Sequence, residues 1–230
     1  MTCPELLESY GCAQNKWHAY DVWGHTMAAI DACKLDPILR VAALFHDIAK
    51  PRTRAFSDKT QDYTFYEHER VGAEMTEPIL GRLRFSNEER ARVTALVRHH
   101  LICYSPDWTD AAVRRWLRRV TPDLAPDLYE IGFCDAIGKG KDEGDDIANI
   151  QQLRARVDAL LEAGAALSTK DLAINGRDLM KELGVAPGPI IGEILSGLIE
   201  LVTDEPTVNA RGPLLEAARE LVAARSKPPS

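Results

Sequence analysis

Histidine and aspartate recur along this chain at positions that could hold a metal ion. The doublet His46-Asp47 closes an apolar run from Ile38 to Lys50, and around it lie His25, His68, the pair His99-His100 and Asp135. Each falls in a segment with its own helical pattern, and inward side chains from facing helices of a bundle converge readily on an ion. Imidazole nitrogen mixed with carboxylate oxygen, without a cysteine pair, suits Fe, Mn, Ni, Co or catalytic Zn rather than a structural zinc ribbon. Four or more histidines could serve two ions, with Asp47 as a bridge between them.

Helices must carry these donors. Apolar residues recur at spacings of three and four nearly everywhere, which predicts an all-α protein. A first helix is predicted from Gln14 to Cys33. Asp36-Pro37 supplies an N-cap and a first-turn proline for the helix bearing His46 and Asp47, and Lys50-Pro51 ends it. The polar stretch from Arg52 to Tyr66 reads as a loop able to form a lid over a site. His68 opens a helix that runs through Leu80. Ser86 and Glu89 have capping-box spacing ahead of a helix whose stripe of Val93, Leu96, Val97 and His100 points His100 inward more securely than His99. A short arginine-rich helix is predicted from Thr109 to Val120, a linker at Thr121-Pro122, then the helix holding Asp135. Gly138, Gly140 and Gly144 mark a break, and one amphipathic helix follows from Asp145 to Leu167. The region from Lys170 to Ala224 contains the turn Ala186-Pro187-Gly188-Pro189 and two further helical patterns, and Ser226 to Ser230 reads as a frayed end.

The totals narrow the function classes. At 230 residues, 45% hydrophobic and 27% charged, the chain can bury a substantial core. A net charge of −7 disfavours coating nucleic acid through bulk electrostatics, while Arg114, Arg115, Arg118 and Arg119 offer one local basic site. The five cysteines, at 3, 12, 33, 103 and 134, form no C-x-x-C pair and point to reduced thiols. No segment approaches the roughly 18 apolar residues that span a bilayer, and the N-terminus carries no signal pattern. A soluble, cytoplasmic protein with no membrane partner is expected.

The order His25, His46-Asp47, Asp135 resembles the signature of the HD-domain metal-dependent phosphohydrolases. More closely, the chain resembles the HD and C-terminal part of bacterial CCA-adding tRNA nucleotidyltransferases. The strings that carry this are His18 to His25, Arg40 to Pro51, Glu67-His68-Glu69 with Gly72-Ala73, Leu96 to His100, Ala112 to Arg115, Leu172 to Leu179, and Pro187 to Gly192, so that the resemblance covers most of residues 14–215. It implies an HD-domain helical bundle over residues 14–140 with a smaller C-terminal helical extension over 145–225. The family's nucleotidyltransferase head, with its Gly-Ser motif and paired catalytic aspartates, is not recognisable, so the chain is not expected to add nucleotides by itself.

With that resemblance, His25, His46, Asp47 and Asp135 are expected to hold a first divalent transition metal (Ni, Mn, Co, Fe or Zn). His68 and His100 would complete a second site across Asp47, with ions about 3.5–4 Å apart. Lys50, three residues after Asp47, could contact a phosphate or orient a nucleophile, or could counter the helix dipole. His18, seven residues before His25, could serve as general acid or could pack beside Trp17 and Tyr20. Arg114 and Arg115 could bind substrate phosphate, although a charged helix face is more often simply solvated. The leading expectation is a metal-dependent phosphohydrolase, a phosphatase or phosphodiesterase acting on a small-molecule nucleotide, a 2′,3′-cyclic nucleotide or an RNA-end phosphoester. Two alternatives stand beside it: a mixed-valent di-iron HD-domain oxygenase, and a tRNA-binding partner of a separate nucleotidyltransferase. An apolar patch on the C-terminal helices could make a homodimer contact.

Overall fold

The computed structural model describes residues 3–141 and 144–225, and the predicted frayed end at 226–230 lies outside them. The described residues are all-α apart from one small hairpin. The helices are α1 (Val22–Ala32), α2 (Pro37–Phe45), α3 (Lys50–Thr53), α4 (His68–Arg82), α5 (Asn87–His99), α6 (Asp110–Val120), α7 (Ala125–Gly138), α8 (Asp146–Glu162), α9 (Gly176–Leu183), α10 (Pro189–Asp204) and α11 (Arg211–Arg225). None is long and apolar enough to cross a membrane.

The chain forms two compact units. One comprises the described residues up to Pro106 together with Pro122–Arg154, the other Asp107–Thr121 together with those from Ala155 onward. Helix α6 therefore belongs to the second unit, although the predicted boundary between 140 and 145 would keep it with the first. In the first unit α2 is the shared wall, packing against α1, α5 and α7, while α4 lies along α5. Phe45, Ile48, Ile79, Leu80, Leu96, Leu128 and Ile131 fill this core and are almost wholly excluded from water. In the second unit α10 is central, touching α6, α9 and α11. Its core is built on Ile174, Leu179, Ile194, Leu198 and Leu214.

Local chemistry explains where elements start and stop. Asp36 caps α2, its Oδ1 accepting from the amides of Ile38 and Leu39 at 2.8 and 3.0 Å. The capping box at α5 forms as predicted, with Ser86 N–H donating to Glu89 Oε2 at 2.8 Å and Glu89 N–H to Ser86 Oγ at 3.2 Å. Helix α1 is shorter than the predicted Gln14–Cys33 because Asp21 takes the N-cap role, accepting from Gly24 N–H at 2.7 Å and from Gly11 N–H at 2.6 Å. The run from Ile38 to Lys50 is likewise not one helix. Pro51 has no N–H to give to the Asp47 carbonyl, four residues back, and the chain tightens instead, Lys50 N–H donating to Asp47 O at 2.9 Å. This turn lifts His46 and Asp47 off the end of α2.

The predicted loop from Arg52 to Tyr66 contains an antiparallel hairpin, β1 (Ala55–Ser57) against β2 (Asp62–Thr64), with Phe56 opposite Tyr63. Helix α8 ends at Glu162 rather than Leu167. Gly164 takes φ +71°, with Gly164 N–H on Leu161 O and Ala165 N–H on Leu160 O, both at 3.0 Å, the Schellman termination. The last region holds three α-helices rather than two, since the short α9 is capped by Asn175 and stopped by Gly184 at φ +65°.

Helices α1 and α7 approach so closely that a Cβ on Gly138 would stand 2.9 Å from the Ala29 backbone nitrogen. Gly138→Val should therefore destabilise the protein by roughly 2 kcal/mol, within the range for overpacking. Urea unfolding measures this, and an unchanged midpoint would show that the two helices separate without cost.

Candidate metal centre

Asp47 sits at the middle of the site. Its carboxylate is buried, and no hydrogen-bond geometry is met at either oxygen. Oδ2 lies 3.2 Å from His25 Nε2, 3.3 Å from His46 Nε2 and 2.6 Å from Lys50 Nζ, whereas Oδ1 faces His68 Nε2 at 3.3 Å and His100 Nε2 at 3.8 Å. Asp135, from α7, brings Oδ1 to 3.1 Å of His25 Nε2 and 3.6 Å of His46 Nε2. Two donor sets result: His25, His46 and Asp135 on one side, and Asp47, His68 and His100 on the other, the donor atoms of each set lying within 4.8 Å of one another.

Three imidazoles are aimed by the backbone. His46, His68 and His100 each direct Nδ1 at the carbonyl three residues earlier, those of Ala43, Phe65 and Val97, at 2.6, 2.7 and 2.7 Å. With Nδ1–H donating, Nε2 of a neutral ring presents a lone pair to the centre, the orientation expected of a metal ligand. Those nitrogens meet at short range, 3.0 Å for His25 with His46 and 3.2 Å for His68 with His100. Facing lone pairs repel unless a proton or a metal ion lies between them, and such a donor set fits a divalent ion.

The electrostatics agree. Burial alone would depress His46, yet Asp47 and Asp135 outweigh it and raise the pKa to about 10. Burial would also raise both carboxyls, but for Asp47 the facing His46, Lys50 and His25, and for Asp135 the two histidines, hold them well below the usual carboxylate range. The site thus draws in positive charge. His100 goes the other way, to about 3, through burial and then the neighbouring His68 and His46. It is a neutral donor at neutral pH.

Lys50 is buried and bridges outward from Asp47, donating to Gln14 Oε1 at 2.8 Å and standing 3.5 Å from His18 Nε2. Burial, then Lys50 and His25, lower His18 to about 3, so the resting imidazole is neutral, with Nδ1 2.8 Å from Asn15 Oδ1. A cavity of about 390 Å³ opens over the cluster, with Asp47, His68, His100 and Asp135 in its lining and the exposed Trp17 and Tyr66 at its edge. His99 lies instead in a separate groove beside Glu77 and Arg90.

Two contributors escape sequence reasoning. Lys139 lines this cavity and a second one of about 210 Å³ that also borders Asp135. Its position, four residues after Asp135 on the same helical face, was the available signal. Gln14 had none, because its contact with Lys50 spans 36 residues.

Arg114 and Arg115, adjacent in sequence, do different things. Arg114 is buried, its Nε donating to Thr203 O at 2.7 Å at the C-terminal end of α10, where carbonyls lack helical partners. Arg115 is exposed and paired with Asp204. Arg114→Ala should thus cost about 2 kcal/mol of stability through the loss of a charge-assisted hydrogen bond, and Arg115→Ala no more than about 0.5 kcal/mol. Equal losses in urea unfolding would sink this distinction.

Comparison with known proteins supplies the family. A family model described as tRNA nucleotidyltransferase domain 2 matches residues 68–218, a span that includes His68, His100, Arg114, Arg115 and Asp135. The A-adding tRNA nucleotidyltransferase of Deinococcus radiodurans is 35% identical over 207 residues, which is 87% of this chain and 46% of that protein. The CC-adding tRNA nucleotidyltransferase of Thermus thermophilus is 33% identical over 204 residues, 86% of this chain and 44% of that protein. The multifunctional CCA protein of Cupriavidus necator is 33% identical over 178 residues. The chain spans about half the length of the curated relatives it matches. These names correct the expectation of a metal-dependent phosphohydrolase, phosphatase or phosphodiesterase, because the relatives are transferases. The error has a physical source: histidines and aspartates converge on an ion by the same geometry whatever the ion is for, so the donor set could not identify a reaction. With the match covering most of the chain and both compact units, this protein belongs to the tRNA nucleotidyltransferase domain 2 family.

Proposed function

We propose that this chain is a metal-holding, tRNA-binding partner of a nucleotidyl-transferring domain. The observation that carries the reading is the 35% identity to an A-adding tRNA nucleotidyltransferase, spread over 87% of the chain. So long an alignment reaches both His46-Asp47 and the helices of the second unit.

In this reading the buried cluster is an HD-type site. His25, His46 and Asp135 would hold one divalent transition ion, and His68 with His100 a second, Asp47 lying between them. When bound, such an ion supplies concentrated positive charge for a phosphate oxygen. Lys50 fixes the Asp47 carboxylate from the side of His18, and Trp17 and Tyr66 offer ring faces on which an unpaired base can stack.

The tRNA backbone would meet α6. Arg115, Arg118 and Arg119 share one surface depression with Glu200. Arg115 is paired with Asp204 and Arg118 with Glu200, while Arg119 is exposed. Exposed ion pairs are worth only about 0–1 kcal/mol, so phosphates can displace the carboxylates at little cost. Such local basic contacts reconcile RNA binding with an overall charge of −7.

Two measurements on the full chain test the reading separately. Metal analysis of the purified protein should find one or two divalent transition ions, lost in Asp47→Ala; equal metal content in the variant would remove the cluster from the assignment. Filter binding with tRNA at low salt should weaken at least tenfold in Arg115→Ala/Arg119→Ala, with a salt dependence shallower by about 1.5 in log–log slope. Absence of tRNA binding at low salt would overturn the RNA half of the proposal.

A further inference from the structure

Cys33, at the C-cap of α1, and Cys134, on α7, face one another inside the first unit with their sulfurs 2.8 Å apart. Both are buried, and both are free thiols. This is the one sulfur–sulfur contact among the described residues. Of the other three cysteines, Cys3 is beside Glu5, Cys12 is buried and Cys103 is exposed. Two thiols 101 residues apart in sequence are thus held almost at bonding distance by packing alone. Little movement separates them from the roughly 2.05 Å of a disulfide.

We infer that Cys33 and Cys134 form an oxidation site, a resting dithiol that a peroxide converts to an intramolecular disulfide joining α1 to α7. The contact pre-organises the reaction. Cys134 donates its S–H to Cys33 Sγ, so a sulfur oxidised at Cys33 already has its resolving partner in contact. Cys33 is also the more exposed of the two, at 7% against 3%. In the first step the Cys33 sulfur attacks hydrogen peroxide: an S–O bond forms, the O–O bond breaks, and a sulfenic acid and water result. The Cys134 sulfur then attacks that sulfur. The S–S bond forms, the S–O bond breaks, and the hydroxyl leaves with the Cys134 proton as a second water, so one peroxide is reduced as two thiols are oxidised.

The bond would clamp the two helices that carry His25 and Asp135, since Cys134 immediately precedes Asp135. It would close a long loop in the unfolded chain and so raise thermal stability.

The test treats the full chain with hydrogen peroxide, removes the oxidant, and titrates thiols after denaturation. Free thiols should fall from five to three. Peptide mapping without reductant should join residues 33 and 134, and the thermal midpoint should rise by about 5 °C or more; dithiothreitol should reverse all three changes. Cys103→Ser should still lose two thiols, and Cys33→Ala should form no disulfide to Cys134. Five thiols surviving, or a disulfide that includes Cys103, would overturn the inference.

Discussion

A carboxylate that cannot be left alone organises the first unit. Removing an ionised carboxylate from water costs several kcal/mol unless positive charge and hydrogen bonds replace the water, and Asp47 is about as buried as a side chain can be. Five elements around it answer that cost. Helix α1 contributes His25, the end of α2 contributes His46, the start of α3 contributes Lys50, the start of α4 contributes His68, and the end of α5 contributes His100. The donors come from helix ends more than helix faces, where free carbonyls aim an imidazole through its Nδ1. The break at Pro51 is part of the same arrangement, since an unbroken helix would leave Asp47 on its side instead of at its tip.

The second unit solves a different problem, the unpaired carbonyls at the end of α10. Arg114 answers it from α6 with a buried guanidinium, and Arg118 adds a bond to Thr203 Oγ1 at 2.8 Å. The neighbouring Arg115 and Arg119 lie on the same helix but in water. One arginine-rich helix thus provides both an internal clasp and an external cationic edge: Arg114 is turned inward, Arg115 and Arg119 outward, and Arg118 lies between them, reaching both Thr203 Oγ1 and the exposed Glu200.

What could be read from the sequence was what is decided locally or by chemical type. The caps at Asp36 and Ser86, the helical period, and the candidacy of every histidine and aspartate in the cluster follow from neighbours within a few residues or from donor chemistry. The start of α1 departs from the periodicity because Asp21 caps the helix inside a pattern that otherwise continues upstream. The hairpin after α3 was hidden in three-residue strands, too short to show alternation. Arg114 read as an anion binder because its partner lies 89 residues away, and Gln14 was invisible for the same reason. The reaction class failed on other grounds: donors specify the affinity for an ion, not the transformation around it, and only relatives of known type correct that.

The spacing between α1 and α7 links the pieces that remain. Gly138 against Ala29 lets the helices touch backbone to backbone, and Tyr20 rests on Gly140, where a Cβ would clash with its ring. That same separation brings Asp135 to 3.1 Å of His25 and sets Cys33 against Cys134. Close-packed interiors transmit displacement instead of absorbing it. A bulkier residue at the glycine, an ion between the imidazoles and a covalent bond between the sulfurs therefore all act on one mechanical coordinate. The first would push the helices apart, and the other two would hold them together, so an ion in the cluster and a bond between the sulfurs would both bear on the α1–α7 separation.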